Sequence, residues 1–194
     1  MKFRSVMFSV CFLWLSIATQ ARSSIPIANN FSIKQRSISP SIPDGRLSIA
    51  NDEFSLMRKE RIGSLRIGLS EAKVKQIMNC NLKREPEQFS QADAAYHQEW
   101  KYADCGIVLV MASDLQNASK SVYSISTSSP SRLSTKRGIR IGSTRTAVMK
   151  AYKSEWNRGD GGSESFVAGS ICGGLIFQFE NGKVSQIFLG AAAE

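Results

Sequence analysis

Arg66-Ile67-Gly68-Leu69-Ser70 returns 74 residues later as Arg140-Ile141-Gly142-Ser143-Thr144, and in the same alignment Val74 falls on Val148. Each copy has a glycine and then a hydroxyl residue, Ser70 or Thr144. Such a side chain accepts a bond from an otherwise orphaned main-chain N–H and so starts a helix. Apolar residues follow at helical spacing: Val74, Ile77 and Met78 in the first copy, Val148, Ala151 and Tyr152 in the second.

Strand patterns follow each helix. The first copy has Tyr96 to Tyr102, Cys105 to Met111 and Ser121 to Ser126. The second has Glu164 to Ala168, Cys172 to Phe179 and Lys183 to Leu189. Asn181-Gly182 joins the last two and suits a tight hairpin, because both residues tolerate positive φ. Cys105-Gly106 and Cys172-Gly173 hold matching places. The expectation is an α+β fold of two tandem modules, each a short helix followed by an antiparallel meander, with the helices packed on one face of the sheet.

The rest of the chain divides around this repeat. Lys2 and Arg4 precede an apolar run from Val6 to Ala18, and Thr19-Gln20-Ala21 offers small residues before a cut. Residues 1–21 therefore read as a secretory signal peptide, since a run of 13 falls short of the ~20 residues that span a bilayer. Its removal lowers the formal charge from +9 to +7. Residues 22–50, with Pro26, Pro40, Pro43 and many serines, read as a mobile leader. Residues 51–128 form the first module and 129–194 the second. The expected localisation is periplasmic or secreted.

The Ile-Gly-x-[Ser/Thr]-x-x-x-Val helix start, the Trp-x-Tyr strand and the Gly-Leu-x-Phe-x-Phe-x-Asn-Gly-Lys-Val strands resemble the SmpA/OmlA (BamE) superfamily. The tandem arrangement resembles that of the β-lactamase inhibitory proteins. The likeness covers about residues 60–190. It implies a sheet face and connecting loops that bind other proteins. The chain lacks the lipobox cysteine of the lipoprotein members and shows no match to the inhibitor's contact loops.

Little in the sequence points to catalysis. His97 is the single histidine and has no ligand at metal spacing. Cys172 would need a base, and the only imidazole lies in the other repeat. There is no phosphate-cradling glycine loop and no Gly-x-Ser-x-Gly. A non-enzymatic protein without cofactor or metal is expected. An oxidising compartment favours one disulfide and one leftover thiol among Cys80, Cys105 and Cys172. The first pairing is Cys80–Cys105, a staple within module one; the alternative is Cys105–Cys172.

Two features point to a partner. Residues 115–154 contain no Asp or Glu but hold Lys120, Arg132, Lys136, Arg137, Arg140, Arg145, Lys150 and Lys153. This cationic join suits an acidic protein or an anionic envelope surface, and nucleic acid least of the three. Tyr96, Trp100 and Tyr102 share one face of a strand, with Tyr123 on a neighbour. They form an interface stripe if that face is exposed and core if it is covered. The leading expectation is an exported protein-binding module, an inhibitor or an envelope-assembly accessory, using Tyr96, Trp100, Tyr102, Tyr123, Lys136, Arg137, Arg140 and Arg145. The alternative is an envelope-associated structural protein that adheres to anionic lipid or glycan.

Overall fold

Alternation of burial along the strands shows how the two repeats meet. The computed structural model describes residues 54–191; the expected signal peptide and the whole of the expected leader lie outside them. Among the described residues there are three short α-helices, α1 (Ser55–Lys59), α2 (Glu71–Ile77) and α3 (Arg145–Tyr152). The strands are β1 (Lys83–Arg84), β2 (Gln88–Ser90), β3 (Ala95–Tyr102), β4 (Ile107–Ser113), β5 (Ser121–Ser128), β6 (Trp156–Asn157), β7 (Ser165–Ser170), β8 (Gly173–Glu180) and β9 (Lys183–Gly190).

These strands form one antiparallel sheet in the order β1-β3-β4-β5-β9-β8-β7-β6, with β2 also paired to β3. The expected α+β pair of helix-on-sheet modules is therefore corrected. The described residues are 43% strand and 19% helix, in a single nine-stranded sheet with three short helices. The physical reason lies at the last strand of each meander. A bare edge leaves N–H and C=O groups unpaired. The two edges satisfy each other, with β5 pairing β9 from Ile125↔Leu189 to Ser128↔Gln186.

The repeat survives in the hydrogen bonding. Gly68 N donates to Val122 O and Gly142 N to Val184 O, both at 2.8 Å. Val122 N returns to Leu69 O, and Val184 N to Ser143 O. Both glycines sit at positive φ, +75° and +83°, where a Cβ is strained. Each turn thereby ties the start of its helix to the third strand of its own meander. Asn181 and Gly182 take φ values of 52° and 72° and close the β8–β9 hairpin as expected.

One helix cap departs from expectation. Thr144 Oγ1 accepts from Ala147 N at 3.2 Å, but Ser70 makes no such bond. At α2 the Glu71 carboxylate supplies negative charge to the N-terminus instead, bonded to Lys75 Nζ at 2.9 Å. Ile77 is also displaced from its expected role. It is 39% exposed, while Val74 is buried.

The core lies on one face of the sheet. Trp100, Tyr102, Ile107, Leu109, Met111, Ile125, Phe166, Leu175, Phe177, Ile187 and Leu189 join Val74, Val148 and Tyr152 in one cluster. Both repeats thus share a single core. Cys80 and Cys105 form a disulfide with Cα atoms 6.2 Å apart, the pairing placed first from the sequence. Cys172 is disulfide-bonded as well, so the expected leftover thiol is corrected.

Candidate functional site

Along β3 the even-numbered residues face the core and the odd-numbered ones face away, as period-2 alternation requires. Tyr96, Trp100 and Tyr102 therefore share a face, and it is the core face. Trp100 and Tyr102 are buried, and Tyr96 packs at the rim against Phe89 with centroids 5.1 Å apart. The aromatic stripe is core, and Trp100 and Tyr102 leave the expected binding set.

The opposite face carries a different aromatic group. His97 of β3 stacks on Tyr123 of β5 at 4.6 Å, and its Nε2 lies 2.8 Å from Asp93 Oδ2. Burial works against ionising the Asp93 carboxyl, yet bonds from Ser90 and His97 hold its pKa below the ordinary value. Val108, Val110 and Ala112 of β4 alternate out to this face and are half-buried. A bulge between Val110 and Met111 lets β5 present Tyr123 here, one residue after the buried Val122. Phe188, paired with Ser126, extends the face into the second repeat. Two grooves flank the His97–Tyr123 stack. One, of about 610 Å³, includes Phe89, His97, Glu99, Lys101 and Val110. The other, of about 540 Å³, includes Asp93, Ala112, Lys120 and Tyr123.

The cationic join separates into used and unused charges. Lys120 is buried and paired with Glu87 at 2.7 Å. Arg137 forks onto Glu155, with one arm at 2.9 Å, donates to Ala151 O at 2.6 Å and lies over the Tyr152 ring at 4.5 Å. That fork holds the Glu155 carboxyl below its ordinary pKa. Arg145 donates to Ser163 O at 2.8 Å and covers the Phe179 ring at 4.8 Å. Arg137 and Arg145 are thus engaged within the fold. Lys136 and Arg140 are exposed.

Beneath Arg137 lies a network that the sequence did not announce. Glu60, buried at 3% exposure, accepts at Oε1 from Arg61 N (3.0 Å) and Lys136 N (2.8 Å), and at Oε2 from Tyr152 Oη (2.9 Å). Tyr152 Oη also lies 2.8 Å from Thr135 Oγ1, which accepts from Ile139 N at 3.2 Å. The run Lys59-Glu60-Arg61 looks like a solvated charge cluster, so no sequence signal marked Glu60.

Burial pushes the Tyr152 hydroxyl well above its ordinary pKa of about 10, and the adjacent Glu60 carboxylate adds to the shift. The unfolded chain loses this proton near pH 10 while the folded chain keeps it. Stability from this group is therefore complete below about pH 10 and falls as pH rises further, by at most ~1.4 kcal/mol per pH unit. Tyr102, also raised by burial, acts in the same direction. Urea midpoints from pH 8 to 11 should fall less steeply for Tyr152→Phe than for the parent. Equal slopes would show that Tyr152 does not titrate in this way.

Among the described residues, the grouping with metal-ligand proximity is Cys80, Asp104 and Cys105. Both sulfurs are consumed in the disulfide, and Asp104 Oδ2 accepts from Asn81 N at 3.2 Å. No family model matches this chain, and no curated protein or solved structure matches it.

Proposed function

We propose that this chain is an exported, non-enzymatic protein-binding module that docks through the sheet face opposite its core. The observation that carries this reading is the half-buried surface of His97, Tyr123, Val108, Val110 and Phe188, which runs across strands of both repeats. Aromatic and β-branched groups on a rigid sheet bury large area with few rotors to freeze. Export is supported by the N-terminal basic-then-apolar sequence and by the Cys80–Cys105 disulfide. The helix-start and strand motifs that resemble SmpA/OmlA proteins and the β-lactamase inhibitory proteins point the same way.

The test compares the parent with Val110→Lys and Tyr123→Ala as baits in envelope and culture extract. The parent should retain one stoichiometric protein, and both variants should retain about tenfold less while keeping the parent's circular dichroism. Equal retention by all three would remove the sheet face. Recovery of only lipid or glycan would favour adhesion to an anionic envelope surface. No helix among the described residues is long and apolar enough to cross a membrane.

A further inference from the structure

Three short extended segments lie side by side around the join of the repeats. Ile62 bridges Thr135, and Ser134 bridges Arg140. Lys136 N donates to Arg61 O at 3.1 Å, and Thr135 N donates to Ile139 O at 2.7 Å. Antiparallel pairing puts directly opposite residues on the same side. Ile62, Thr135 and Ile139 are all buried and mark the inner side of this ribbon. Their neighbours Arg61, Lys136 and Arg140 therefore point outward, and all three are exposed.

Arg61 and Lys136 stand directly opposite each other. Like charges in that position are destabilising. Among the described residues no carboxylate reaches either side chain within ion-pair distance, whereas Arg137 at the tip of the same hairpin is matched by Glu155. Glu60 faces inward and is fully engaged by three donors. The ribbon thus holds uncompensated cations on a backbone fixed from beneath. A fixed array lowers the ordering cost of binding.

We propose, building on the protein-binding reading, that Arg61, Lys136 and Arg140 form a docking site for a carboxylate-rich segment of the protein partner. Two of the three are guanidinium groups, whose planar fork pairs carboxylate oxygens two at a time. A membrane-adsorbing surface adds exposed apolar anchors to its cations. Among the described residues, the exposed large apolar side chains, Phe54, Ile77, Phe89, Leu115 and Met149, all lie outside residues 61–63 and 134–140.

The probe is poly-L-glutamate, titrated against the purified protein at several salt concentrations. The triple variant Arg61→Gln, Lys136→Gln and Arg140→Gln should bind about tenfold more weakly with a shallower salt slope. It keeps the main-chain N–H groups that hold Glu60. The triple Lys73→Gln, Lys150→Gln and Lys153→Gln removes the same charge elsewhere and should change affinity by about twofold or less. Equal losses in the two triples would reduce the effect to net charge and overturn the site. So would phosphatidylglycerol vesicles binding where polyglutamate does not. If the sheet-face partner is found and the ribbon triple retains it fully, the ribbon is wrong and the protein-binding reading stands.

Discussion

Glu60→Ala is expected to cost about 3–5 kcal/mol of folding stability, because it removes a buried acceptor on which three donors converge. Arg61 N, Lys136 N and Tyr152 Oη all end on this carboxylate within 3.0 Å. A tyrosine has one proton, and a carboxylate can only accept. The Tyr152 proton therefore goes to Glu60, and the Thr135 hydroxyl donates to the phenol oxygen while accepting from Ile139 N. Alanine leaves Arg61 N and the phenol without this acceptor, at roughly 1–3 kcal/mol each when buried, and reduces the shared Lys136 N–H to its 3.1 Å bond to Arg61 O. Glu60→Gln should cost much less, about 1–2 kcal/mol. Its amide oxygen still accepts, and its NH₂ can donate to a reoriented phenol. Urea unfolding at neutral pH measures both. A loss below about 1 kcal/mol for Glu60→Ala would mean that the site is hydrated and the donors find water.

The same residue explains how the two repeats are locked. Glu60 precedes the first repeat's Ile62, while Thr135 and Tyr152 belong to the second. The 74-residue offset made the repeat legible, because Gly68 and Gly142 need the same backbone conformation and the following helices need the same spacing. The strands were legible for a related reason: alternation and the Asn181-Gly182 turn are local signals. What joins the repeats is not local. Nothing in the composition of β5 or β9 says that their free edges meet, so two modules were expected where one sheet stands. Residue 60 pairs with residues 76 and 92 positions away, and a lone Glu between Lys59 and Arg61 looks like a solvated charge.

The candidate site divides along the same line. The basic stretch was visible as a run without carboxylates. Which of its cations are spent was not, because Glu87 and Glu155 reach Lys120 and Arg137 from outside residues 115–154. Arg61 joins Lys136 only through main-chain pairing across the join. The shared face of Tyr96, Trp100 and Tyr102 followed from period 2, but which side the core occupies depends on where the helices settle.

Trp100→Ala should destabilise the fold by about 3–5 kcal/mol, the largest expected effect at any residue first considered for binding. The indole is 1% exposed and sits across from Leu109 in the β3–β4 register. The Arg84 guanidinium lies 4.5 Å from its ring and the Lys75 ammonium 5.6 Å. Its Nε1 donates to Gln98 Oε1 at 2.8 Å. Alanine would open a cavity beneath two cations and orphan the Gln98 acceptor. Both losses act through the fold. Tyr123→Ala, on the other face, removes a half-buried ring outside the core cluster and should cost about 1 kcal/mol or less. The pair separates core from interface: Trp100→Ala should lower the urea midpoint sharply and reduce binding only as the folded fraction falls. Tyr123→Ala should do the reverse. A Trp100→Ala protein with an unchanged midpoint but no partner binding would return the indole to the interface and move the docking surface to the other side of the sheet.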